Sequence, residues 1–238
     1  MIKSKILFSI IGVIAAIVAI GIVISLASNF PLSRGNDSGV FVFPRNSNPY
    51  GITLEELSED WWQWAASMSI SDHPLNDPTG EKCAMNQKGS IWFLGGTFGG
   101  DAERTCKLPA GKAIFLPVIN GICTNELDHP KDEKELHDCI VNYIDKVTDA
   151  KASVDSQQIS NMKEDFRVLS RAFNMTVARD GLYGMSSVTT LTQAVGYYLL
   201  LKPFSPGQHT IEISGALVNP GDTSYNFATK VTYHLIVQ

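Results

Sequence analysis

Apolar positions recur at two different periods along this chain, and the alternation of those periods sets out its elements. Leu54, Leu57, Trp61, Trp64, Ala65 and Met68 stand three or four residues apart, with Glu55, Glu59 and Gln63 between them. This spacing predicts an amphipathic helix, and Thr53 with Glu56 forms the T-x-x-E capping box that starts one. Leu136, Cys139 or Ile140, Tyr143, Ile144 and Val147 predict a second helix of the same kind. Elsewhere the period is two or vanishes. Tyr225, Phe227, Val231, Tyr233, Leu235 and Val237 alternate with Asn226, Lys230, Thr232 and His234, which gives a strand with one buried and one wet face. Residues 195–201 are apolar on both parities, the pattern of a central strand covered on both sides. Residues 151–158 and 209–214 add shorter strands. Residues 166–177 read as one strand whose parity changes at 170–172, as a β-bulge would produce.

The stretch between Cys83 and Cys123 holds two more strand-like runs, residues 90–94 and 112–118. A connector with Gly95, Gly96, Gly99 and Gly100 and a Pro-Ala-Gly turn separate them, and we read the stretch as a disulfide-tied antiparallel unit. With turn residues between the runs and no β-α-β alternation, the expected fold is mainly β. It is an antiparallel β-sandwich, jelly-roll or immunoglobulin-like, decorated by two helices and preceded by one N-terminal transmembrane helix.

That last element rests on residues 6–27, bounded by Ile6 and Ala27, which carry no charge and can cross a hydrocarbon core of ~30 Å at ~1.5 Å per helical residue. Lys3 and Lys5 hold the N-terminus inside. The run is either a single-pass anchor in the cell membrane or a secretory signal cleaved near Ala27, where Ser25 and Ala27 give a small-x-small site. Both readings put the body of the chain outside the cytoplasm. The domains expected are 1–28 as anchor or signal, 29–50 as linker and 51–238 as the extracytoplasmic domain, with residues 39–43 offering an edge strand as the second reading of that part of the linker.

Four cysteines, Cys83, Cys106, Cys123 and Cys139, fit an oxidising compartment and two disulfides. Three pairings exist, and the sequential one, Cys83 with Cys106 and Cys123 with Cys139, closes the shortest loops. No C-x-x-C pair or spaced histidine set accompanies them, so neither a metal nor a cofactor is expected. The formal charge is −5, and setting aside Lys3 and Lys5 leaves 17 basic against 24 acidic residues, or −7, which opposes nucleic acid as a partner. Asn36 and Asn174 lie in N-x-S/T sequons.

The densest polar loop, residues 71–82, gives the candidates for chemistry. Asp72, His73 and Asp77 bring carboxylates and an imidazole close in sequence, as general acid-base catalysis requires, with Arg104 or His209 as further members of a cleft. The plainer reading is that Asp, Asn, Pro and Gly in such a run make turns. Trp62, Trp92 and Arg104 are the candidates for holding a ligand, against the plainer reading of tryptophan as core.

WWQWA, HPLNDPTGEKC, GSIWFLGGTFGGDAERTCKLPAGKAIFLPVIN, YYLLLKPFSPGQHTIEISG and VTYHLIV, in this order, resemble a group of exported prokaryotic proteins to which no activity is assigned. The likeness runs from Tyr50 to Gln238. It implies export, one domain and a β-rich fold, and it brings no catalytic residue with it.

No nucleophile elbow, zincin helix, phosphate loop or dinucleotide fingerprint occurs. The leading expectation is a membrane-anchored, non-catalytic domain that binds a surface glycan, a small ligand or an envelope protein. An extracytoplasmic hydrolase or lyase with an Asp/His cleft is the second reading, and a structural subunit of a membrane complex or surface layer the third.

Overall fold

A computed structural model describes residues 41–238 of the chain. The helices in it are α1 (Leu54–Ala66), α2 (Asn125–Asp128), α3 (Glu133–Ile144) and α4 (Met162–Asp165). The first five strands are β1 (Ile91–Phe93), β2 (Gly100–Leu108), β3 (Ala113–Thr124), β4 (Val147–Val154) and β5 (Gln157–Gln158). β6 (Arg167–Leu169), β7 (Phe173–Val177), β8 (Val188–Leu201), β9 (Gly207–Leu217) and β10 (Phe227–Val237) complete the set. They form two five-stranded sheets. One runs β1-β3-β8-β6, with β7 also on β8, and the other runs β2-β10-β9-β4-β5.

The two parities of β8 explain the layering. Val195, Tyr197, Leu199 and Leu201 join the cluster between the sheets, which also holds Ile114, Leu116, Ile211, Ile213, Val231 and Leu235. Ala194, Tyr198 and Leu200 face the other way and meet Leu57, Trp61, Trp64 and Ala65 of α1. A strand covered by a sheet on one face and a helix on the other has no wet face, which is why its sequence shows no alternation. β10 has only one such neighbour, and its burial alternates from Thr229 to Val237. The Thr53–Glu56 capping box is formed in both directions, with the Glu56 amide donating to Thr53 Oγ1 at 3.2 Å and the Thr53 amide to Glu56 Oε2 at 2.9 Å.

The parity change in residues 166–177 is also present. β6 and β7 both pair with β8, and Ser170, Arg171 and Ala172 leave the ladder between Leu169↔Val195 and Phe173↔Thr192. The Ser170 hydroxyl takes the bond from the Ala194 amide there, at 2.9 Å.

Two strand directions differ from the expectation of wholly antiparallel sheets. β1 pairs parallel with β3 and β2 parallel with β10. The reason is the glycine connector. It does not fold 90–94 back onto 112–118 as a hairpin but carries the chain across to the other sheet as β2, and the chain returns to lie beside β1 in the same direction. A parallel pair needs a crossover of this kind.

Part of the presumed linker belongs to the domain. Val42 bridges to Leu201 and is buried in the intersheet core, while the Phe43 amide donates to the Leu200 carbonyl at 2.9 Å. The last strand begins at Phe227 rather than at Tyr225, because residues Thr223–Tyr225 form a 3₁₀ turn in which the Asp222 side chain accepts from the Ser224 amide. The residues proposed as anchor or signal lie outside those described. Among the described residues no helix is long and apolar enough to cross a membrane.

Both disulfides are the sequential ones, Cys83–Cys106 and Cys123–Cys139, with Cα atoms 5.8 and 6.3 Å apart. The first ties the loop after α1 to β2. The second ties α3 to β3.

Candidate functional site

The loop between α1 and β1 turns its acid-base side chains inward and spends them on backbone. Its two 3₁₀ turns, Ile70–Asp72 and Pro74–Asn76, are separated by His73, which has no exposed surface. The Leu75 amide donates to His73 Nδ1 at 3.0 Å, so the ring proton sits on Nε2 and is donated to the Ala65 carbonyl, also 3.0 Å away. Burial lowers the imidazole from 6.5 to about 4, against the weaker pull of the Ala65 bond. Asp77 is buried and accepts from the amides of Thr79 and Lys82 and from the Thr79 hydroxyl, each at 2.8 Å. Burial acts to raise this carboxyl, but those donors outweigh it and the net shift is downward. Gly80 follows with φ +93, and a Cβ there would come within 2.6 Å of the Thr105 carbonyl oxygen, so the loop lies directly on β2.

Arg104 completes this network from β2 and is 1% exposed. Its Nε donates to the Asp77 carbonyl at 2.7 Å, Nη2 to Leu75 at 3.2 Å, and Nη1 to Gly95 and Gly96 at 3.0 and 2.9 Å. Nη1 also reaches the Tyr233 hydroxyl at 2.7 Å, and the guanidinium lies over that ring. It holds four carbonyls from two loops, and at 1% exposure it presents almost no surface to a ligand. Asp72 is exposed and accepts from Ser69 Oγ. His209 is elsewhere, stacked on Phe204 and bonded to Asp155 Oδ2 at 2.8 Å. The proposed set therefore does not meet in one open cleft: His73, Asp77 and Arg104 form a buried scaffold, and Asp72 and His209 stand apart from it.

The buried neutral His73 predicts a specific acid response. Above pH ~6.5 neither the folded nor the unfolded chain holds its proton. Between 6.5 and about 4 only the unfolded chain takes it up, so stability falls as pH falls, by about 3 kcal/mol in total, and this contribution flattens below about 4. Urea unfolding at pH 7, 5.5 and 4 should show that slope in the parent and a shallower one in His73→Asn.

An empty space of a different character lies behind this scaffold. A cavity of about 970 Å³ opens between the bulged end of β3, Trp62 of α1, Tyr143 of α3 and the turn carrying Tyr183. A β-bulge lies on its wall. Pro117 pairs with Tyr198 and Ile119 with Tyr197, so Val118 is an extra residue opposite β8. Pro117 has no amide to donate to a ladder, and strand proline favours such a break. Past the bulge, Gly121 lets the Tyr143 ring lie against β3, since a Cβ would come within 2.5 Å of that ring. The Tyr143 hydroxyl donates to the Asn120 carbonyl at 2.9 Å. The Asn120 amide and Trp62 Nε1 both donate to the Tyr198 hydroxyl, at 3.3 and 3.2 Å. Burial raises both phenols, so Tyr143 and Tyr198 stay protonated.

The mouth carries large apolar side chains that a soluble surface usually hides. Ile70 is 37% exposed, Phe98 36%, Leu127 40% and Tyr183 51%, and all four line the cavity. Phe98 and Tyr183 meet edge to face at 6.0 Å. Of the sequence candidates only Trp62 lines this space, and it does so while 2% exposed. Trp92 is buried in the intersheet core, where its Nε1 has no hydrogen-bond partner among the described residues. Asn174 is exposed on β7, so its sequon is accessible, and Asn36 lies outside the described residues. Asp128 comes near both sulfurs of Cys123 and Cys139, but these are bonded to each other and offer no thiolate to a metal.

No protein-family model matches the chain, and no curated protein matches it in sequence. Among solved structures, 63% of the chain aligns with all of PbICP-C, solved in complex with falcipain-2, at 10% identity and a TM-score of 0.23. EhICP2, a cysteine protease inhibitor from Entamoeba histolytica, aligns over 62% of this chain and 95% of its own at 10% identity and 0.22. Amebosin aligns over 63% of this chain and all of its own at 9% and 0.21. Likeness at these scores carries no argument about what this chain does.

Proposed function

We propose that this chain is an extracytoplasmic binding domain, held at the membrane by residues 6–27, that takes up a small ligand with an apolar body and does not transform it. The observation that carries the reading is the cavity of about 970 Å³ with its exposed apolar mouth, a size and character suited to a small organic molecule. Its lining is mainly apolar, with no histidine, cysteine, lysine or arginine, and its two carboxylates, Asp128 and Asp180, are exposed, which suits the holding of an apolar body. A ligand with an apolar body therefore matches this lining better than a hydroxyl-rich glycan. In this reading the two sheets are the leaves of a sandwich opened at Val118. The two disulfides support a place outside the cytoplasm.

The test uses Nile red, an uncharged apolar dye. The purified domain should bind it with enhanced dye fluorescence, and Ile122→Trp, which fills the cavity from β3, should weaken binding at least about tenfold with an unchanged circular dichroism spectrum. Equal binding by the two proteins would remove the cavity from the account.

A further inference from the structure

The charges on the cavity wall are all of one sign. Asp128 and Asp180 line it, and no basic side chain does. Asp128 uses Oδ2 to accept from the Thr124 amide at 2.8 Å, which fixes its carboxylate at the end of β3. Asp180 precedes Tyr183 in the turn at the mouth, and that turn is fastened to the loop after α1 by the Ile70 amide donating to the Asp180 carbonyl at 2.8 Å. Arg179 lies 3.6 Å from Asp180 Oδ2, but both side chains are largely in water, at 87% and 74% exposure, where such a pair is weak. The same cavity is lined by the rings of Phe98 and Tyr183, and aromatic faces attract an organic ammonium as well as an apolar body.

We infer that the cavity selects an amphipathic organic cation, an amine or quaternary ammonium on an apolar body, over an anion with the same body. This rests on the reading of the cavity as a ligand site. An anion entering it would meet two carboxylates, Asp128 and Asp180, both exposed where they line the cavity, and would find no basic side chain on the lining to pair with. A cation would meet two carboxylates and an aromatic pair.

The experiment is displacement of Nile red by three probes with one tail: decyltrimethylammonium, 1-decanol and decanoate, each below its micellar concentration. The cation should displace the dye at about tenfold lower concentration than the anion. Asp128→Asn with Asp180→Asn should abolish that preference and leave displacement by decanol unchanged, since asparagine keeps the acceptor that Thr124 needs. Glu133→Gln with Glu164→Gln, which removes two carboxylates that do not line the cavity, should retain the preference and so separate a local effect from the chain's net negative charge. Should the double aspartate variant fail to fold, Asp180→Asn alone, on the exposed turn, should still lower the preference. Decanol displacing the dye while cation and anion do so equally would overturn the charge selection and leave the ligand site standing. A preference untouched by the aspartate changes would do the same. A folded protein that binds neither dye nor probe would overturn both.

Discussion

Replacing Arg104 with methionine should lower the unfolding free energy by about 4 kcal/mol, the loss expected when a buried charged hub is removed and its partners are left unpaired. Methionine fills much of the same volume, so the effect would report the bonds rather than a void. The carbonyls of Asp77, Leu75, Gly95 and Gly96 all converge on this one side chain. Tyr233, which donates to the Gly95 carbonyl at 2.6 Å and accepts from the Gly95 amide and from Arg104 Nη1, would keep two of its three bonds. Arg104→Lys should recover only part of the loss, because an ammonium cannot reach along both edges of the guanidinium fork. Urea unfolding followed by tryptophan fluorescence gives the number. A change below about 1 kcal/mol would mean that water replaces the guanidinium at those carbonyls. Because Leu75 and Gly96 also line the cavity, Nile red binding should weaken in the same variants.

Removing either disulfide should cost about 3 kcal/mol, since the bridged pairs are 23 and 16 residues apart and restrict the unfolded chain to a similar degree. The two losses should differ in what else they change. Cys139 lies one helical turn before Tyr143, so Cys123→Ser with Cys139→Ser frees the helix that forms one wall of the cavity. Cys83→Ser with Cys106→Ser frees instead the loop bearing Leu75 and Asn76. Thermal unfolding of each double variant and Nile red titration at 25 °C separate the two effects. An unaltered midpoint in either variant would show that the fold already holds the corresponding ends together without the bond.

Where a feature depended on local pattern, the residues announced it. The capping box at Thr53, the double-faced apolar run of β8, the alternation in β10 and the parity change at Ser170 each follow from the period of one segment, and each is present in the structure. Short loops also made the sequential disulfides the natural choice. Strand direction was not local. Whether residues 90–94 and 112–118 run parallel depends on where β2 goes, and nothing within either run encodes that.

The site was hidden for two reasons. The polar residues of 71–82 are the types that catalysis uses, but a tight loop also needs donors and acceptors for its own peptide groups, and His73, Asp77 and Arg104 meet that need. Composition does not say which way a loop side chain points. The cavity, in turn, is assembled from α1, β3, α2, α3, β10 and three loops, and of the residues singled out for holding a ligand only Trp62 lies on it. Pro117 inside an apolar run was the one legible signal of the bulge.

The position of β10 constrains how the domain can be made. It lies between β2 and β9, in parallel register with the first from Thr229↔Gly100 to Val237↔Leu108 and antiparallel to the second. A chain threaded outward from its N-terminus delivers β2 early and β10 last of the strands. In the interval β2 has no partner in its sheet, and β9 presents an open edge that invites another chain. Productive folding therefore waits on the residues up to Val237, and stalled or truncated chains would expose two pairing edges at once. Such edges make aggregation during folding a sharper hazard for this domain than for one built from successive hairpins.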